Sequence, residues 1–284
     1  MTFLMAEGVL TATRLAFFSG RQTLGTPALR ANAWYALSLV SLPARLGEVA
    51  GIFILERYLD QSRVEASMSI IVQRVYDAAC LGAIFTLALL LVATDTDLKL
   101  LIWVGLGVFA LTVLALILLQ RLLSFGVGVV HRTLSTKRGW RTKMRSIVFR
   151  ARTWHRHRIA PRGNLRPTLL SAARWSVNVI GFSLTIAAVR PDLGIEQFVI
   201  IASASTFLAL IPLQLVGGVG IGDVGVAGLL VLFGDAWETA VATSVVIRIA
   251  IILAPVLFWI FVMSLTRDRQ VSDLQDSVRK TNPT

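Results

Sequence analysis

The chain has 284 residues, of which 55% are hydrophobic and only 15% charged, against about 25% charged in ordinary soluble domains. A mean hydropathy of +0.72 excludes disorder and exceeds what one soluble core of this size can bury, so the bilayer is the solvent that fits. The net charge of +12 marks, in such a chain, cytoplasmic loops and anionic headgroups before nucleic acid. The single cysteine, Cys80, excludes an intrachain disulfide framework and the usual multi-cysteine metal sites.

Met1–Phe18 is apolar but carries Glu7 and Arg14. It lacks the charged start and cleavage site of a signal peptide and reads as the later part of a membrane helix. Ala31–Leu42 is uncharged but makes only about 18 Å of helix, short of a core of about 30 Å. Ala66–Thr94 is a span with Arg74 and Asp77 inside it, and Leu100–Gln120 is a clean span. Residues 121–168 hold thirteen Lys and Arg, all three histidines and no acid. Leu169–Val189 spans with Arg174 and Asn178 embedded; Thr239–Leu265 spans with Arg248 and Pro255. Between them, Phe198–Ile211 and Val224–Phe233 flank Pro212 and a glycine cluster. Runs this short suit re-entrant or broken helices. The expected fold is therefore all-α, a polytopic membrane bundle with two broken helices. It is one transmembrane domain, with a first half over 1–120, the basic loop 121–168, a second half over 169–265 and a polar tail over 266–284.

The positive-inside rule places the basic loop and the C-terminal tail in the cytoplasm, and the acidic turns at Asp95 and Asp235 outside. The expected setting is an inner membrane of bacterial type. Trp140 and Trp154 beside arginines could stack bases, but the same pairing is an ordinary interfacial anchor, and no nucleic-acid partner is expected.

Two segments end alike. Leu42-Pro43-Ala44-Arg45-Leu46-Gly47-Glu48 closes the first short run; Ile211-Pro212 through Gly217, Gly218, Gly220, Gly222 and Asp223 closes the second. Arg74 follows Glu48 by 26 residues and Arg248 follows Asp223 by 25. With one half entering from each side, this reads as an inverted repeat, a pointer to a site near the midplane. Ionised groups there must be paired or hydrated. Arg74 and Asp77 share a helical face and can pair, while Glu48 and Asp223 are candidates to neutralise Arg74, Arg248 or Arg45. Two meanings stay open. The charges are ion pairs locking the bundle, or the arginines hold a lipid phosphate, with glycine N–H groups approaching the headgroup. No catalytic set, metal-ligand spacing or cofactor motif is found.

The segments Leu-Pro-Ala-Arg-Leu-Gly-Glu (42–48), Gln-Arg-Val-Tyr-Asp (73–77) and Gly-Gly-Val-Gly-Ile-Gly-Asp (217–223) resemble the flippase-like membrane family, also called the lysylphosphatidylglycerol synthase transmembrane region family. The family pattern has Pro-x-Arg-x-Gly-Glu, Glu-Arg-x-x-Asp and Gly-Gly-x-Gly-x-Arg-Glu. Here Gln73 stands for the first Glu of the middle motif, and Gly222-Asp223 for the final Arg-Glu. The resemblance implies a further membrane helix at the start and movement of a polar-headed lipid, an anionic phospholipid or a glycolipid, between leaflets. The site expected from the embedded charges and the glycine cluster is Arg45, Glu48, Arg74, Asp77, Gly217, Gly218, Gly220, Asp223 and Arg248, converging from both halves. Some members carry a synthase domain, and others accompany glycolipid or hopanoid pathways. None of this sequence reads as a soluble synthase domain. The rival expectations are a membrane-embedded lipid-modifying transferase and a non-transporting scaffold beside a lipid or glycan biosynthetic enzyme.

Overall fold

A computed structural model describes residues 2–21, 23–43, 46–92, 165–208 and 220–281, with isolated positions at 103, 106, 107, 109, 110, 114, 153 and 154. Among the described residues there are eight helices and no strand. They are α1 (Thr2–Phe18), α2 (Thr26–Ser41), α3 (Leu46–Leu59), α4 (Arg63–Val92), α5 (Leu165–Val189), α6 (Ile195–Leu208), α7 (Ile221–Leu232) and α8 (Trp237–Thr281). Arg63–Leu90, Leu165–Val189 and Trp237–Thr266 are long and apolar enough to cross a membrane. Large apolar side chains such as Ile71, Leu87, Leu90, Ile180, Ile249 and Ile260 are exposed without lining the interior cavity, as in a protein solvated by lipid rather than water. The expected span at 100–120 and the basic loop lie outside the described residues, apart from the isolated positions.

Local chemistry sets the helix ends. α2 opens after Gly25 with Pro27 in its first turn, where the missing N–H is harmless. It closes at Leu42, which is extended because Pro43 excludes the helical region from the residue before it. α2 thus starts five residues earlier than the uncharged run suggested, since Arg30 does not interrupt a helix. Ser62 and Glu65 form a reciprocal capping box before α4: the Ser62 N–H donates to Glu65 Oε2 at 2.9 Å, and the Glu65 N–H donates to Ser62 Oγ at 3.4 Å. Gly20 and Gly234 both adopt positive φ. Each ends a helix with the paired bonds of a Schellman turn, Arg21 N–H to Ala16 O and Asp235 N–H to Leu230 O being the longer-range ones. α8 runs unbroken past the expected end at Leu265, with Pro255 inside it.

The packing repeats a theme. α2 lies against α3, and α6 against α7. Gly47 allows the first approach: a Cβ there would sit 2.5 Å from the Ser38 carbonyl oxygen. α1 runs antiparallel to α5, with Phe3 beside Gly181, Glu7 beside Arg174, Arg14 beside Ser171 and Phe17 under Arg166. One apolar cluster joins α4 through α8 around Leu81, Trp175, Ile186, Ile201, Leu230 and Ile247. Another joins α1 through α4 around Leu15, Ala28, Leu55 and Ile70.

Candidate functional site

Between these clusters lies a cavity of about 940 Å³, to which all eight helices contribute lining side chains. Glu48 of α3, Arg74 and Asp77 of α4, Asp223 of α7 and Arg248 of α8 all line it. Glu48 is the third residue of α3 and Arg74 the twelfth of α4. Asp223 and Arg248 hold the same ranks in α7 and α8. Both pairs close, Arg74 Nη2 to Glu48 Oε1 at 3.0 Å and Arg248 Nε to Asp223 Oδ1 at 2.6 Å. Arg74 is also hydrogen-bonded to Tyr35. Arg45, Gly217 and Gly218 lie outside the described residues. Gly220 donates its N–H to Asp223 Oδ2 at 2.9 Å, so that amide serves the helix start rather than a headgroup.

The pairing of Arg74 with Asp77 expected from their i, i+3 spacing is not formed. Asp77 is 2% exposed and is held by Arg14, itself 3% exposed. It also accepts from Trp175 Nε1 at 2.7 Å and meets Arg174 Nη1 at 3.4 Å. Arg174 reaches on to Glu7 at 3.3 Å and stacks on Trp175 with its guanidinium carbon 4.0 Å from the ring centroid. The reason is reach. Asp77 is short and faces α1 and α5, whereas the longer Arg74 extends to α3. Sequence reading passed over Glu7 and Arg14 as site residues. Their signal was present, because two charges seven residues apart in an apolar helix share one face. Arg174 was recognised as embedded but not placed in the site.

The arrangement has two chemical consequences. Asp77 bridges the halves of the chain, since Arg14 belongs to the first and Arg174 to the second. Each of the four arginines described at the cavity is already matched to a carboxylate. Uncharged side chains line it too, among them Gln73, Asn178 and Ser205. Among the described residues no group of three or more His, Cys, Asp or Glu is placed to hold a metal ion.

A second ionic cluster ties the α5–α6 turn to the α7–α8 turn. Arg190 binds Asp192 at 2.5 and 2.9 Å and also grips Asp235. The hydrogen bonds from Arg190 hold the Asp192 carboxyl down at about 2, and those from Asp192 and then Asp235 raise the Arg190 guanidinium.

Membrane-length helices, paired short helices and a charge-lined cavity between them define a polytopic membrane protein with an interior polar site. Residues 27–258 match the family model of the lysylphosphatidylglycerol synthase TM region, and the chain belongs to that family. Nothing matches among curated proteins, nor among solved structures.

Proposed function

We propose that this protein is a flippase-like transporter that moves a polar-headed lipid between leaflets of the cell membrane. The observation that carries the reading is a cavity of about 940 Å³, reached by charged side chains from both halves and surrounded by membrane-length helices. Its volume suits a lipid headgroup, being at the upper end of small-molecule sites. Interior ionisable groups at membrane depth mark substrate paths more often than surface ones do. The equal ranks of Glu48 and Asp223, and of Arg74 and Arg248, support two related halves working about the cavity. Rocking of one half against the other would expose the headgroup to alternate sides.

One observation favours a second reading, in which the charges lock a scaffold: all four arginines described at the cavity are paired within the protein. Reconstitution separates the two and also tests the transferase alternative. Purified protein in liposomes with a labelled lipid is scored for leaflet exchange and for covalent change of the lipid. Exchange without covalent change supports transport, and covalent change supports a transferase. Neither, with an intact fold, supports a scaffold beside a biosynthetic enzyme.

A further inference from the structure

We propose that the ion pairs Arg190–Asp235 and Arg21–Asp60 are latches on opposite membrane faces, each closing the base of one short helix pair, and that transport opens them in turn, the Arg190 latch being the one shut in this structure. The proposal rests on the transport reading and names the device that controls it.

The two ion pairs occupy matching places. Arg21 lies in the α1–α2 turn and Asp60 in the α3–α4 turn, and they meet at 3.0 Å. Arg190 lies in the α5–α6 turn and Asp235 in the α7–α8 turn. Each ion pair therefore joins the turn that enters a short helix pair to the turn that leaves it, α2–α3 in one case and α6–α7 in the other. The carboxylates sit alike, just after a helix and in a reversal of positive φ, at Asp60 itself (φ +54°) and at Gly234 (φ +102°) before Asp235. Because α1 runs antiparallel to α5, the Arg21 latch stands where α5 begins and the Arg190 latch where it finishes. The 25 residues of that helix separate the two by about 37 Å, more than the hydrocarbon core of a bilayer.

The far end of each short pair reaches the cavity. Glu48 and Asp223, at the starts of α3 and α7, line it and hold Arg74 and Arg248 there. Each pair is closely packed, Gly47 on the Ser38 carbonyl and Gly225 on Leu208 Cδ1. A pair tilting about its base as one body carries a cavity carboxylate with it, so whatever fixes the base fixes that side of the cavity.

The latches differ in strength. Arg190 and Asp235 are 15% and 12% exposed. Two parallel bonds join them, and Asp192 holds the same guanidinium. A shielded bidentate pair is strong and geometrically fixed. Arg21 and Asp60 are 37% and 85% exposed and share one bond, a contact that water replaces at little cost. The Arg190 face is held shut, and the Arg21 face is free to open.

The test uses the full chain with Cys80→Ser, so that introduced cysteines stand alone. Asn178→Cys places a reporter in the cavity, and a charged, membrane-impermeant maleimide is applied to either face of oriented membrane vesicles. The reporter should react roughly fivefold faster from the Arg21 face. Arg190→Gln should remove that bias by raising reaction from the Arg190 face, Arg190→Lys should raise it less, and Asp60→Asn should leave the bias in place. Equal reaction from both faces before mutation, or no gain with Arg190→Gln, overturns the proposal. Where Arg190→Gln does not fold, bridged latches decide. Arg190→Cys with Asp235→Cys, and Arg21→Cys with Asp60→Cys, are each joined by a short bismaleimide that carries a reducible disulfide. Closing either bridge should slow leaflet exchange of fluorescent phosphatidylglycerol in proteoliposomes by about tenfold or more, and reduction should restore it. Exchange unslowed by either bridge shows a static staple and overturns the proposal. If the protein exchanges no lipid even before bridging, the transport reading fails. The labelling bias and its loss in Arg190→Gln then decide alone whether the latch shuts that face.

Discussion

At Asp77 two guanidiniums and an indole, those of Arg14, Arg174 and Trp175, converge on one buried carboxylate. Removing its charge leaves Arg14 without its anion at membrane depth and Arg174 with Glu7 alone. Asp77→Asn is therefore expected to destabilise the protein by about 3–5 kcal/mol, read as a fall in Tm in detergent. Arg74 is a different case. It is partly open to the cavity and has Glu48 and Tyr35 as partners. Arg74→Ala should abolish leaflet exchange while the protein still inserts and elutes as a folded species. Arg152→Ala, in the basic loop, should leave exchange unchanged. Equal loss in both variants would remove the special role given to the cavity.

At the scale of elements, the α2–α3 pair depends on a backbone contact that only glycine permits. Gly47→Ala places a methyl 2.5 Å from the Ser38 carbonyl oxygen, and backbone cannot swing aside as a side chain can. A loss of about 1–3 kcal/mol is expected. Gly228, inside α7, provides the contrast, because a Cβ there meets nothing within 4 Å. Gly228→Ala should be neutral or stabilising by up to about 1 kcal/mol from helix propensity. Thermal unfolding of the two variants side by side checks both. The Pro43 and Gly47 signals were legible in sequence because they act locally. The expected break near residues 209–219 falls outside the described residues, so only its flanking helices α6 and α7 enter the comparison.

For the whole molecule, the topology expectation places residues 121–168 and the tail inside, with Asp95 and Asp235 outside. Cysteine labelling in intact cells should reach a probe at Asp235 and not one at Ser135; labelling at Ser135 alone inverts the arrangement. The Arg190 cluster makes a pH prediction on the same face as Asp235. A carboxyl held near 2 in the folded protein and near 4 when unfolded stabilises at every pH above about 4. That contribution fades as pH falls through 2, because the unfolded chain takes up its proton first. The Tm difference between wild type and Asp192→Asn should stay constant from pH 7 to about 4 and vanish near 2. A difference that grows on acidification would contradict the clasp.

By itself the sequence determined the solvent, the helical class, the position of the break at Pro43, and which charges lie inside apolar segments. These follow from composition and short-range periodicity, which act over one or two helical turns. Only the tertiary structure decided the partners. Glu48 with Arg74 and Asp223 with Arg248 had been among several permitted pairings. The union of Asp77 with Arg14 and Arg174 had not been foreseen. Helical spacing tells which residues share a face but not which helix that face will meet. A buried charge takes whichever counter-ion packing brings within reach, and here α1 and α5 come to Asp77 from 63 and 97 residues away.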